Sequence, residues 1–310
     1  MRGSVAASHA SSHSRDVQLG LIGTGIAVVA WGTSGVVIKA IDMGGLAIGF
    51  WRFALYALIL TGWIVSSGKR IGRRVLIASL PGGISLGFDV VFFFTAVKLT
   101  NVVNATTIGS LQPLIVAVFA AKMFGEQVRP KDLAAALVAI AAVIVIVIES
   151  SGTPEWSGAG DLAAVGALIC WSGYFIFSKR SKGVLTPIEY TAGTGIWTAV
   201  ICLVVGLAFH QDMSFPSSTN WLPLLALTFG AGILGHSIMN WSLVRVPLWL
   251  GSTLTLLIPV VGSLTAWIFL DEALSGVQLA AIAVVIGALA SIVMTQGKPE
   301  PVRAPQAATT

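Results

Sequence analysis

Very few side chains in this sequence are equipped for chemistry, and the few that are lie in apolar surroundings. Arg52, Asp89 and His236 each interrupt a long hydrophobic run. An ionisable group inside a hydrocarbon layer is costly and is retained for a purpose. For Asp89 and His236 that purpose is binding a charged head group or passing a proton. The competing reading is a polar side chain satisfied by a neighbouring helix's hydroxyl or backbone. Arg52, about six residues into its run, reads first as a snorkelling or structurally paired cation and second as a carboxylate-binding group. Pro113 and Pro259 each remove a backbone N–H and so free the carbonyl four residues earlier, at Gly109 and Thr255. Thr106, Thr107, Ser110 and Gln112 surround one break, and Ser252, Thr253 and Thr255 precede the other. A freed carbonyl deep in a bilayer needs a polar partner or a wet cavity. These breaks therefore mark either packing kinks or cavity-lining hinges, with Gly109, Pro113 and Pro259 as the hinge residues. Trp31 and Trp171, with Phe93, Tyr174 and Asn240, have the makings of an aromatic pocket for an apolar side chain. For any one of them, packing or lipid contact is the competing account.

Nothing here points to covalent catalysis. There is no HExxH, no pair of acid/base carboxylates and no Ser/His/Asp pattern with supporting context, so no enzyme is expected. The nearest approach to a phosphate loop, Gly62 to Lys69, has the wrong spacing and is followed by Arg70 where Ser or Thr is needed. Cys170 and Cys202 both fall inside apolar runs, which argues against a disulfide framework. No clustered ligands suggest a metal, and no cofactor is implied.

The elements that hold these residues are membrane spans. Charged residues are 10% of the 310, hydrophobic ones 55%, and mean hydropathy is +0.89. A soluble domain carries about 25% charge. Ten runs reach the roughly 20 residues that a 30 Å core requires: about 18–39, 46–66, 75–97, 103–124, 131–149, 160–180, 189–209, 222–243, 249–270 and 275–296. The fold class is thus an all-α membrane protein of ten transmembrane helices. With the N-terminus inside, fifteen of the Lys and Arg residues fall on the inner side, from Arg2 and Arg15 to Lys298 and Arg303, against Lys39 and Lys98 outside. That bias places both termini in the cytoplasm of a multi-pass inner-membrane protein. The net charge of +5 is spread in short clusters between spans, which is not the footprint of nucleic-acid binding. Trp63, Trp156 and Trp221 fit interfacial belts, whereas Trp31, Trp171 and Trp241 lie deeper.

The chain also repeats itself. Pro113 precedes Glu126 by thirteen residues, as Pro259 precedes Glu272, at an offset of 146. Trp31 and Lys39 match Trp171 and Lys179 at an offset of 140. Five spans per half is an odd number, so the second half enters the membrane in the opposite sense. The result is two inverted five-helix repeats, with a binding site expected near the midplane between them. Inversion also puts Asp89 toward the outer half and His236 toward the inner half, which argues against a direct pair. Glu126 and Glu272, at helix ends, read as structural.

The stretches Ala105 to Glu126 and Gly251 to Glu272, each with its proline and terminal glutamate and followed by Leu133 or Leu279, resemble the EamA domains of the drug/metabolite transporter superfamily. So do Phe94 to Lys98 and Asn240 to Arg245, which lead into the fourth and ninth spans. The resemblance covers about 18–296, and within it the chain looks similar to bacterial YddG-type exporters of aromatic and other neutral amino acids. Asp271 departs from the pattern, standing where the first half has Gly125. The resemblance implies a secondary transporter whose partners are small-molecule substrates and the lipid bilayer. It also implies a central cavity flanked by Trp31 and Trp171. The expected organisation is a disordered cytoplasmic tail (1–17), a first EamA-like repeat (18–149), a periplasmic linker (150–159), a second repeat (160–296) and a disordered tail (297–310). Exchange of sugar phosphates or nucleotide sugars is the main alternative; with Arg52 the only cation within a span, a zwitterionic or neutral substrate is favoured. Efflux of cationic drugs is the other, with Asp89 alone to serve the cation. Substrate range, proton coupling, preferred conformation and oligomeric state stay open at this point, and Gly45-x-x-x-Gly49 and Gly83-x-x-x-Gly87 suit packing within or between chains.

Overall fold

The computed structural model describes residues 2–100, 102–152 and 157–296, with side chains over 15–100, 103–152 and 157–295. Among them are ten helices long and apolar enough to cross a membrane. They are α1 (Arg15–Lys39), α2 (Gly45–Ser66), α3 (Arg73–Leu99), α4 (Val103–Phe124), α5 (Pro130–Ser151), α6 (Ala159–Arg180), α7 (Pro187–Ala208), α8 (Ser218–Leu243), α9 (Leu248–Leu270) and α10 (Gly276–Thr295). No strand occurs among the described residues. The helical backbone leading into α1 runs back to Arg2, so residues 2–17 are helical where a disordered tail was expected; the stretch contains no proline to stop it. The C-terminal segment 297–310 and linker residues 153–156, Trp156 among them, lie outside the described residues.

The two halves interleave. Helix α3 packs against α6 and α7, α2 lies along α7, α1 runs beside α8 and α9, and α5 pairs with α10. Side chains at helix ends show the inverted symmetry directly. At one end of the α5–α10 pair, Arg129 donates to Asp132 at 2.6 Å and to Thr295 Oγ1 at 2.6 Å. At the other end their repeat mates, offset by 146, do the equivalent: the Ser275 N–H bonds Gln278 at 2.8 Å, and the Ser275 hydroxyl bonds Glu149 at 2.7 Å.

Two ion pairs repeat the relation. Lys39 at the end of α1 meets Glu272 just past α9 at 2.6 Å. Lys179 at the end of α6 meets Glu126 just past α4 at 3.6 Å, on the opposite face of the molecule. The first pair is open to solvent, with side chains 61% and 52% exposed, whereas the second is 15% and 13% exposed. Glu126 also accepts from the backbone N–H groups of Leu248 and Trp249, at 2.8 and 3.1 Å, and so caps the N-terminus of α9, where backbone dipoles favour an anion. Both glutamates follow a residue in the left-handed conformation, Gly125 (φ 65°) and Asp271 (φ 55°). Each glutamate N–H then bonds back six residues, to Ala120 and Ala266. Asp271, which departs from the repeat in sequence, keeps it in backbone, because aspartate is among the side chains that tolerate this region.

Both suspected hinges are real interruptions. Helix α4 breaks at Ser110–Leu111, just before Pro113, and α9 narrows to a 3-10 turn at Leu254–Leu256, just before Pro259. Between them Thr255 Oγ1 bonds Gln112 Oε1 at 3.1 Å.

Close approach rests on small residues. A Cβ at Gly83 or Gly87 of α3 would collide with Trp197 or Ile201 of α7, and one at Gly49 would press on Cys202. Both GxxxG spacings are thus used within the chain. Gly87→Val should lower the melting temperature in detergent, in line with an overpacking cost of about 1–3 kcal/mol. Gly287→Ala, at a helical position with open space around it, should leave the melt unchanged or raise it.

Candidate functional site

Helix α8 is not regular: residues Thr228–His236 form a π-helix, whose widened turn loosens the α-helical hydrogen-bond register. The Ala231 carbonyl there accepts from Trp31 Nε1 of α1 at 3.0 Å. Gly235 makes room for that indole, since a Cβ would lie 2.6 Å from Nε1. The π segment ends on His236, which is 2% exposed.

Around His236 the two halves meet. Arg52 Nη2 of α2 lies 3.4 Å from Nε2, and Tyr174 Oη of α6 lies 3.1 Å from Nδ1. A guanidinium can only donate, so Nε2 accepts, and Nδ1 carries the proton and donates to Tyr174. From Tyr174 the network continues to Asn240, whose amide nitrogen donates to Tyr174 Oη (2.8 Å) and Thr191 Oγ1 (2.9 Å) and whose oxygen accepts from Ser178 (2.7 Å). Tyr56, one turn beyond Arg52, bonds the Thr191 carbonyl at 3.1 Å, and Tyr190 bonds the Tyr174 carbonyl at 3.1 Å.

Rings enclose this network. Trp31 meets Trp171 edge-on at 5.2 Å and His236 edge-on at 5.2 Å, Trp171 stacks on Tyr174 at 5.5 Å, and Phe53 lies 5.7 Å from His236. The Arg52 guanidinium sits over Phe53, 5.0 Å from its centroid. Helices α1, α2, α6, α7 and α8 all contribute, so neither half holds the cluster alone. It is packed shut: Tyr56, Tyr174, His236 and Asn240 are all at most 2% exposed. The larger clefts open at the two faces instead. One of about 770 Å³ lies beside Lys39 and Glu272, and one of about 560 Å³ is lined by Lys69, Arg70, Arg74 and Glu189.

Of the residues singled out from sequence, Trp31, Trp171, Tyr174, His236 and Asn240 come together here. Gln112 and Thr255 form their own buried pair, with Gln112 Nε2 and Thr107 Oγ1 left without partners. Thr106 is half-buried, and its carbonyl accepts from the Ser110 N–H at 2.9 Å. Asp89 does not touch His236. It is half-buried, without hydrogen bond or ion pair among the described residues, yet close enough for Arg52 to act on it electrostatically. Phe93 belongs outside the cluster: it is 42% exposed and packs on Phe94. One residue is 100° of helix, and it is Phe92 that faces α6, across Gly166. Arg52 does not snorkel, since its guanidinium turns inward to His236. Trp241 leaves the centre too, stacked with Arg245 at 3.8 Å.

The EamA-like transporter family matches this chain twice, over residues 18–148 and 158–294. The chain belongs to that family. Among curated relatives, the aromatic amino acid exporter YddG of Ancylobacter novellus is 30% identical over 205 residues, covering 64% of this chain and 69% of that protein. A probable amino-acid metabolite efflux pump of Salmonella typhimurium is 29% identical over 279 residues, 85% of this chain and 91% of the other. The threonine/homoserine exporter RhtA of the same species is 26% identical over 238 residues, 76% and 78% of the two chains. A crystal structure at 23% identity superposes with a TM-score of 0.79, covering 92% of this chain and 99% of its own, and shares the fold. This EamA-like protein is therefore a multi-pass membrane transporter of small molecules rather than an enzyme.

The same network should dominate local stability. Asn240→Leu strands the Ser178 hydroxyl and removes one of the two bonds at each of the Tyr174 and Thr191 hydroxyls, and each buried polar group left unpaired costs about 1–3 kcal/mol. A melting temperature well below that of the exposed-site variant Trp63→Ala is expected; equal melts would mean that water replaces the amide.

Proposed function

We propose that this EamA-like transporter exports neutral amino acids, aromatic ones included, across the bacterial inner membrane by alternating access. The observation that carries the reading is the aromatic enclosure of Arg52 and His236 where the two halves meet. An amino acid has an apolar side chain beside a charged head group, and this site sets Trp31, Trp171 and Tyr174 beside a cation. Asp89, within electrostatic reach, suits the ammonium or a coupling proton. The names of its relatives, amino-acid exporters among them, support the substrate class. Sugar phosphates fit less well, because a phosphate calls for several Lys or Arg and Arg52 alone lies within a span away from its ends. Cationic drugs fit less well beside a buried guanidinium.

Uptake of labelled phenylalanine, leucine and threonine into proteoliposomes tests this. Saturable flux, competed by other neutral amino acids but not by a sugar phosphate, is expected; the reverse pattern overturns the substrate class. Flux that rises under an imposed pH gradient and loses that response in Asp89→Asn or His236→Ala identifies proton coupling.

The two repeat-related ion pairs supply the gates for alternating access. With the termini inside, as the Lys and Arg bias favours, Lys39–Glu272 fastens the periplasmic face and Lys179–Glu126 the cytoplasmic one. The cytoplasmic pair is better sheltered and caps α9, so it is the stronger. Exposed pairs contribute about 0–1 kcal/mol and are screened by salt. Glu126→Gln should therefore change transport kinetics far more than Glu272→Gln. Raising ionic strength should mimic only the latter. Equal effects of the two substitutions would refute this gating asymmetry.

A further inference from the structure

Arg52 has more hydrogen-bonding capacity than its surroundings use. It projects from the middle of a membrane span into the closed cluster. Among the described residues its side chain makes one hydrogen bond, to the imidazole at 3.4 Å, a long contact to a neutral acceptor. Nε is buried without a partner. No carboxylate forms an ion pair with it among the described residues, whereas Arg74 and Arg129 each have one. A largely enclosed charge without an ion pair is costly for a protein to keep, and Asp89 acts on this one only electrostatically, with no hydrogen bond or ion pair among the described residues. The surroundings hold it in place all the same. Phe53 lies under its face, Nη2 is fixed by His236, and His236 is fixed in turn by Tyr174 and Asn240. Gly232 of α8 lies beside Nε, and a Cβ there would stand at ordinary contact distance, 3.8 Å.

Resting on the amino-acid reading above, we infer that Arg52 is the substrate-carboxylate site of this transporter. His236 acts as a positioning residue that orients the guanidinium through Nη2. The fork geometry of arginine matches a carboxylate with two parallel N–H bonds. The N–H groups without acceptors, Nε among them, are the donors such a fork requires. Trp31, Trp171 and Phe53 would then bear on the substrate's side chain. The ligand class is an α-carboxylate with an apolar or small neutral side chain, and the anion neutralises the buried cation while it crosses.

The test compares substrates that differ only at the head group. Wild-type proteoliposomes are assayed with phenylalanine, phenylalaninamide and phenethylamine. Phenylalanine should exceed both analogues about tenfold or more in kcat/KM, the scale of a charged hydrogen bond. Arg52→Gln should bring phenylalanine down to the level of the amide, with Arg52→Lys in between. His236→Gln should weaken the preference for the carboxylate without abolishing it. Equal wild-type flux of all three compounds overturns the inference and leaves the amino-acid reading standing. A uniform loss on all three in Arg52→Gln also overturns it, because the guanidinium then serves only as counter-ion to Asp89. Absence of saturable phenylalanine, leucine and threonine flux in wild type removes the amino-acid reading itself. The wild-type comparison decides the matter even if Arg52→Gln fails to fold.

Discussion

Hydrocarbon offers no hydrogen bonds, so every backbone amide in a span must be satisfied within the protein. Ten helices meet that demand, and the exceptions to regular helix are correspondingly informative. Besides a one-residue interruption of α1 at Thr33, they include the break at Ser110–Leu111, the 3-10 turn at Leu254–Leu256 and the π segment Thr228–His236. These last three lie away from helix ends, where other side chains cover them. The break and the 3-10 turn are joined through Gln112 and Thr255, and the π segment receives the Trp31 indole. Irregular backbone and polar side chains thus occur together, and the candidate site lies where they concentrate.

Inversion organises the rest. Because each half crosses five times, residues equivalent in sequence fall on opposite faces, and a pair made at one end reappears at the other. The ion pairs at Lys39 and Lys179 and the hydroxyl and amide contacts at the ends of α5 and α10 all obey this rule. Equivalence is not identity, however. Glu126 caps a helix and is sheltered, whereas Glu272 is exposed. The matched ends therefore differ in how firmly they are fastened.

Much of the fold was legible in the sequence, since span length, Lys/Arg bias and the Pro–Glu spacing are each set by the bilayer rather than by tertiary detail. All ten spans fall close to their expected limits, and Trp31, Trp171, Tyr174, His236 and Asn240 do meet. The missing parts were those that depend on helix rotation. Phe93 and Phe92 are neighbours in sequence, yet only Phe92 faces α6. Arg52, read first as snorkelling or structurally paired, turns inward because its neighbour Phe53 and the acceptor on His236 hold it there. Tyr56, four residues after Arg52 and so on the same helix face, was the detectable member of the network that went unnoticed. Thr191 and the Ala231 carbonyl carry no signal in sequence: the first depends on how α7 is rotated toward Asn240 and Tyr56, the second on a π turn that no motif announces.

That π turn sets the phase of α8. It packs more residues into each turn than an α-helix does, so the segment before Thr228 and the segment after His236 are rotated relative to what a uniform α-helix would give. Were the segment to rewind as α, its two flanks would counter-rotate about the helix axis. The His236 ring would swing away from Arg52 while Ala231 withdrew from Trp31. Contacts with α1, α2 and α6 would be released together by one local change of pitch, without any helix having to slide along its neighbour.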